Sequence, residues 1–305
     1  MPEVLPRPDA VPGGTRRLLA TVREFVILTK PRVIELLLIT TVPAMILAQG
    51  GLPDLGLIAA VLVGGALAAG GANTINSWIE RDRDQLMRRT RNRPLVTGTI
   101  RPTSALVFGI VLNVVAFVLI VSVANLLAAA LTMSATLFYV FVYTIWLKPR
   151  TAQNIVIGGA AGAIPTLVGW AAVTNTVAAP AWVMFAMVFF WTPPHFWALA
   201  LRYREDYEAA DFPMLPVTRG IAVATRHMLA YSVVVVAVSL TLGLTTPVGP
   251  LYLVVAVVLG AWFVAGALRL VRDPEPTRAI KYFAFSNAYL AALFVTIAVD
   301  TFVRR

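Results

Sequence analysis

Long apolar stretches recur along the chain, and short polar stretches part them. A helix that crosses the hydrocarbon core of a bilayer needs about 20 consecutive apolar residues. Nine segments meet that need: about 33–50, 55–79, 103–122, 124–146, 153–174, 179–201, 222–244, 249–271 and 280–302. Breaks such as GGLPD, KPRT, TTPVGP and RDPEP mark turns between them. No strict repeat underlies the pattern. It predicts an all-α polytopic membrane protein with about nine transmembrane helices, formed by one domain over residues 28–305 after a solvated tail over 1–27.

Lysine and arginine give the pattern a direction. They gather in the N-terminal tail and first segment (Arg7, Arg16, Arg17, Arg23, Lys30, Arg32), in the 80–101 loop, and at Lys148 and Arg150. They return at Arg202, Arg204, Arg219 and Arg226, then at Arg269, Arg272, Arg278 and Lys281. The alternate loops, near 51–54, 123, 175–178 and 245–248, hold neither residue type. With nine helices every basic loop falls on one face, which the positive-inside rule makes cytoplasmic, with the N-terminus in and the C-terminus out. Arg304 and Arg305 alone depart from the rule.

Composition agrees: 59% of residues are hydrophobic and 13% charged, a balance that cannot clothe a soluble surface. The net charge of +10 then reads as membrane topology rather than as nucleic-acid binding. With no cysteine, disulfides and thiolate metal sites are excluded. Residues 1–24 lack the apolar core of a signal peptide, and Glu3, Asp9, Glu24 and four prolines argue against a transit peptide.

The second segment ends in NTINSWIERDRDQLMRRTRNRP. On a helix Asn76, Glu80 and Asp84 are four residues apart and share one stripe, about 6 Å per step; Asn73 joins it and Asp82 points elsewhere. Like charges at this spacing repel unless a cation binds them. Carboxylates with amide carbonyls suit Mg²⁺, which takes its remaining ligands from substrate phosphates. The arginines that follow match phosphate through their forked donors. Surface ion pairing and a pure topology signal are the competing explanations, weakened because two amides lie in an apolar segment.

A second polar cluster closes the sixth segment: WTPPHFWALALRYREDYEAADFPMLP. His195 sits inside the apolar run, where an ionisable residue is a functional candidate; a histidine bonded to a carbonyl freed by Pro193 or Pro194 is the alternative. Arg202 shares its face, and Arg204, Glu205, Asp206 and Asp211 follow, as a second site or as solvated loop charges. NIVIGGAAGAIP suggests close helix packing. Lys281, Ser286 and Tyr289 fall near one face of the ninth segment, lining a cavity or filling the core.

Asn73, Asn76, Glu80, Asp82 and Asp84, with Met87-x-Arg89-Thr90-x-x-Arg93-Pro94, resemble the first motif of the UbiA-type intramembrane prenyltransferases. TKPRV, MRRTRNRP, QNIVIGGAAGAIPTLVGW, WTPPHFWALALRYREDY and PMLP are most similar to the haem-farnesylating (haem O synthase) branch, in order from Leu28 to about Phe294. Quinone-type members usually carry a second aspartate-rich motif where this chain has His195 and Arg202. Glu80 stands where many relatives have aspartate, and Asp211 where this branch commonly has glycine.

The resemblance implies helices around a central cavity open near the cytoplasmic face of a bacterial plasma membrane, and farnesyl transfer from farnesyl diphosphate to the 2-vinyl group of haem b with addition of water. It implies Mg²⁺ on Asn76, Glu80, Asp82 and Asp84 with Asn73 nearby, and phosphate contacts from Arg89 and Arg93, with Lys148 and Arg150 further out. His195 would ligate iron or orient the reactants. Arg202, Arg204, Asp206 and Lys281 are candidate contacts for the bound substrates, and a haem A synthase is a candidate partner. A quinone prenyltransferase predicts aspartates at His195 and Arg202; a transporter predicts its polar site at mid-membrane; a haem carrier has no use for the carboxylate stripe.

Overall fold

The computed structural model describes residues 14–246 and 248–304. The first part of the expected tail, 1–13, lies outside the described residues, as does Arg305. Helices run in the order α1 (Gly14–Thr29), α2 (Pro31–Gln49), α3 (Leu55–Asp84), α4 (Pro102–Val123), α5 (Leu126–Leu137, prolonged as a π-helix over Phe138–Leu147), α6 (Asn154–Thr174) and α7 (Ala179–Arg202). Two short ones, α8 (Arg204–Ala209) and α9 (Leu215–Thr218), lead into α10 (Ile221–Thr245), α11 (Pro250–Arg272) and α12 (Pro276–Val303).

The nine expected segments correspond to α2 through α7 and α10 through α12. Eight are long and apolar enough to cross a bilayer. In α2 the apolar stretch found among the described residues is shorter, Ile39–Gln49. Helix starts follow local chemistry. Proline occupies the first turn of α2, α4, α7, α11 and α12, where its missing N–H costs nothing. Asp54 and Asn125 cap α3 and α5 by accepting the Leu57 and Ala128 N–H groups, both at 2.9 Å.

Helices α3 and α4 meet over small residues. Gly71 lies so close to Asn113 and the Gly109 carbonyl that a methyl group there would collide with backbone, the close approach that small residues permit in membranes. Asn113 Nδ2 donates to the Gly109 carbonyl at 2.9 Å and its Oδ1 accepts from Thr136 Oγ1 at 2.9 Å, so the buried amide is satisfied within α4 and across to α5.

Within the expected tail, residues 14–27 form most of α1. Leu28 at its end is buried with Leu95, Ile100 and Ala105, and Phe25 and Trp78 pack on that cluster. The opposite side exposes Leu18, Leu19 and Val22 next to Arg23. At 16 residues α1 is not among the helices long and apolar enough to cross a bilayer.

At the end away from the basic loops, Asp300 is buried. It accepts the Gly249 N–H at 2.5 Å and pairs with Arg304 at 3.2 Å. The departure of Arg304 from the charge pattern is thus neutralised within the fold, and the carboxylate ties the start of α11 to the end of α12.

Candidate active site

A cavity of about 370 Å³ lies between α3, α5 with its π-helical extension, α6 and α7. Its deep wall is apolar, with Val61, Ala68, Ile164 and Val168; its head is charged. Asn73, Asn76, Glu80 and Asp84, spaced along α3, all line it and are all buried. Arg89, Arg93 and Lys148 line it too.

Each oxygen donor has a cationic or polar partner. Lys148 Nζ meets Glu80 Oε1 at 2.5 Å and Arg93 Nη1 meets Asp84 Oδ2 at 2.6 Å. Lys30 Nζ donates to Asn76 Oδ1 at 2.7 Å, and the Asn76 amide donates to Thr144 Oγ1 at 3.1 Å. Asn73 donates to the Thr29 carbonyl at 3.0 Å and accepts from the Tyr139 hydroxyl at 3.4 Å. Asp84 Oδ1 is buried with no hydrogen-bond partner, on a residue that lines the cavity head. Two carboxylates and two amide carbonyls are the hard oxygen set that Mg²⁺ takes. Among the described residues no three acidic or histidine side chains gather as a metal cage, so oxygens from a bound phosphate would have to complete the shell.

Sequence reasoning missed Lys30, counting it only among the basic residues that set the topology. Its backbone is left-handed (φ 54°), because Pro31 excludes the right-handed helical region for the residue before it. The turn between α1 and α2 thereby sends the ammonium into the head. Burial, then the charge of Arg93, pushes Lys30 down to about 7.

The π-helix was also missed. Lys148 N–H bonds the Tyr143 carbonyl at 2.8 Å, and Thr144 Oγ1 bonds the Tyr139 carbonyl at 2.8 Å, both across five residues. The wider turn brings Tyr139, Tyr143 and Lys148 onto one cavity wall, a use typical of π-helical turns at functional sites. The two tyrosine rings stack at 5.4 Å. Gly158, from the glycine-rich stretch of α6, lies against the Tyr143 ring where a side chain would clash.

The loop after α3 is held from the second cluster. Asp206 accepts the Arg88 and Arg89 N–H groups at 3.4 and 3.3 Å. Arg89 bonds the Tyr207 hydroxyl at 3.2 Å and lies over the Tyr203 and Tyr207 rings. Thr90 Oγ1 bonds the Asp84 carbonyl at 2.8 Å. Burial pushes the Tyr207 hydroxyl up, which keeps it a donor-capable phenol.

Several expected residues stand elsewhere. Asp82 is turned out by its helical position, its side chain 76% exposed and paired with Arg81 at 3.7 Å. Asp206 positions the loop and does not line the cavity. Arg202 is exposed over Tyr203, and Arg204 is exposed with Glu208 3.9 Å away. Lys281 is exposed. Arg150 bonds the Ile145 and Trp146 carbonyls at the end of the π-helix. His195 faces α12 rather than the cavity: its Nδ1 is 2.6 Å from Ser286 Oγ, and its ring lies between Trp191 and Phe283. Asp211 adopts φ 56°, the left-handed conformation that favours glycine.

Residues 37–291 match the model of the UbiA prenyltransferase family. The chain is 54% identical over 290 residues to a protein named protoheme IX farnesyltransferase from Frankia alni, covering 93% of this chain and 99% of that one. A protein of the same name from Mycobacterium sp. (strain KMS) is 49% identical over 292 residues, covering 95% and 94%. The fold is similar to a structure described for digeranylgeranylglyceryl phosphate synthase (TM-score 0.76, 17% identity, 92% and 99% covered). It is also similar to a UbiA homolog from Archaeoglobus fulgidus bound to DMAPP and Mg²⁺ (TM-score 0.64, 18% identity, 90% and 99% covered).

Proposed function

The chain belongs to the UbiA prenyltransferase family, and from that premise we infer that it transfers a farnesyl group from farnesyl diphosphate to the 2-vinyl group of haem b, giving haem O. About 50% identity to protoheme IX farnesyltransferases over nearly the whole chain supports the acceptor. The observation that carries the donor is the two-part cavity: a head of paired cations and carboxylates above a long apolar wall, suited to a diphosphate and its isoprenoid tail.

In the proposed reaction the allylic carbon–oxygen bond breaks and its electron pair leaves with diphosphate. The terminal vinyl carbon then attacks the farnesyl cation. Water adds to the resulting cation beside the porphyrin ring and loses a proton, leaving the hydroxyl of the new side chain. Mg²⁺ bound by Glu80 and Asp84 with amide oxygen from Asn76 would neutralise charge growing on the leaving group. Arg89, Arg93, Lys148 and Lys30 would grip the phosphate oxygens, where fixed donors in a site with little water act most strongly. Val61, Ile164 and Val168 would shield the cation from premature hydration. The stacked rings of Tyr139 and Tyr143 offer π-faces that attract positive charge.

The protein is a multi-pass membrane protein. We place it in the bacterial plasma membrane with its basic loops and cavity head in the cytoplasm, where a haem A synthase would take up the product. The test is pigment analysis of a host that makes only haem b. Expression of the chain is expected to yield haem O, and Glu80→Gln with Asp84→Asn to abolish it while the protein still inserts. Absence of haem O from the unaltered chain, or near-normal yield from the double variant, overturns this reading.

A further inference from the structure

On each of four helices the lining of the cavity ends at one residue: Thr41 on α2, Val61 on α3, Thr132 on α5 and Val168 on α6. Among the described residues, none farther from the charged head on these helices reaches the cavity. All four are buried. Val61 and Val168 also belong to a buried cluster with Met45, Ile120, Ala128 and Ala171, which backs the deep end with side chains. The helices themselves close up at this level. A methyl group on Gly169 would collide with the Thr41 carbonyl, and one on Gly64 with the Ile120 side chain. The cavity is thus stopped at its deep end by a packed floor.

The depth of this floor matches a prenyl chain of one length. Val61 stands fifteen residues before Asn76 on α3, about 22 Å along the helix axis. Asn76 is the deepest of the oxygen donors proposed for the metal, so the carbon that parts from diphosphate belongs near its level. An extended farnesyl chain reaches about 14 Å from that carbon, at roughly 1.25 Å of advance per carbon–carbon bond. With about 4 Å for contact between apolar atoms, its end comes to rest just short of Val61. A fourth isoprene unit adds about 5 Å and drives the chain end into the floor. A geranyl chain, one unit shorter, leaves the deep part empty and forfeits the contacts there. Between Val61 and Asn76, α3 lines the cavity with Gly65, Ala68, Ala69 and Ala72, side chains too small to stop the tail earlier.

Resting on the proposed reaction, we propose that Val61 and Val168 are specificity-determining residues that set the length of the transferred prenyl group: the site takes a fifteen-carbon allylic diphosphate and refuses a twenty-carbon one. The selection is steric. Charge anchors the diphosphate at the head, so a longer chain cannot slide outward without losing those contacts. The floor cannot yield without displacing Met45 and Ile120, which are wholly buried. The reacting carbon of a longer substrate is then held out of line with the acceptor, so the selection acts on turnover as well as on binding.

The test uses the full chain in lipid nanodiscs with haem b, Mg²⁺ and an equimolar mixture of geranyl, farnesyl and geranylgeranyl diphosphates, the prenylated haems being resolved by mass. The unaltered protein should transfer farnesyl over geranylgeranyl by roughly tenfold or more, the scale on which an apolar pocket rejects a surplus group. Val61→Ala with Val168→Ala should lower that ratio about tenfold. Ala68→Leu, which narrows the cavity two turns above the floor, should raise the ratio of geranyl to farnesyl product about tenfold. Both readouts are ratios within one sample, so loss of folded protein does not move them. An unaltered protein that uses geranylgeranyl as readily as farnesyl diphosphate overturns the proposal, as does an unchanged farnesyl-to-geranylgeranyl ratio in the double variant. If the double variant yields no product, an unchanged geranyl-to-farnesyl ratio in Ala68→Leu overturns it. A chain that farnesylates haem b with ratios the variants leave unmoved defeats this inference alone; a chain that prenylates no haem defeats the function from which it starts.

Discussion

In the proposed reaction Arg93 and Lys148 each face two demands: to pair a buried carboxylate when the cavity holds no ligand, and to contact phosphate when it does. Removing one partner of a buried ion pair costs about 3–5 kcal/mol, because the other charge is left uncompensated. Arg93→Ala should therefore destabilise the ligand-free protein markedly, with much of the loss recovered when Mg²⁺ and a diphosphate are added; thermal inactivation with and without both ligands measures it. Lys30→Ala should weaken farnesyl diphosphate binding by about tenfold or more, since a hydrogen bond to a charged group contributes about 1.5–3 kcal/mol, and Lys30→Arg should recover part of it. At Asp211 the left-handed φ of 56° predicts that Asp211→Gly is neutral or stabilising by up to about 1 kcal/mol and that Asp211→Val is destabilising. The carboxylate stripe was legible because spacing of four residues survives in any α-helix. Lys30 was not, since proline after a basic residue signals a helix start and says nothing of where the side chain before it will point.

The element that sequence periodicity handled least well is the π-helix at Phe138–Leu147. FYVFVYTIWL is apolar nearly throughout, so no alternation betrays whether its turns are closed by four or five residues. Spans were easy to find for the opposite reason: their length and loop chemistry are set by the bilayer, not by neighbours. The position of His195 against α12 was hidden because helix pairing is decided by packing between distant segments. Thr144 ties the π-register to the site by accepting from Asn76 and donating to the Tyr139 carbonyl. Thr144→Val keeps its shape but orphans the Asn76 amide, at a cost of about 1–3 kcal/mol. We expect weaker farnesyl diphosphate binding with membrane insertion unchanged, measured by ligand titration of purified protein.

Across the whole molecule the two ends of the bundle do different work. The end with the basic loops holds the charged cavity head, while the other is closed by Asp300 with Gly249 and Arg304. Asp300→Ala should lower the temperature of irreversible inactivation without changing turnover per folded molecule, a separation that parallel heat-inactivation and activity measurements would detect. The paired head has a thermodynamic consequence. A metal ion arriving alone must displace Lys148 and Arg93 from Glu80 and Asp84, and a diphosphate arriving alone must draw the same cations from their carboxylates. Arriving together, each ligand supplies the partner that the other displaces. If the head binds both as proposed, their affinities are coupled and reciprocal: Mg²⁺ would tighten diphosphate binding by the same factor as diphosphate tightens Mg²⁺. Such a cavity would discriminate against free metal and against metal-free diphosphate, responding to the concentration of their complex rather than to either ligand alone.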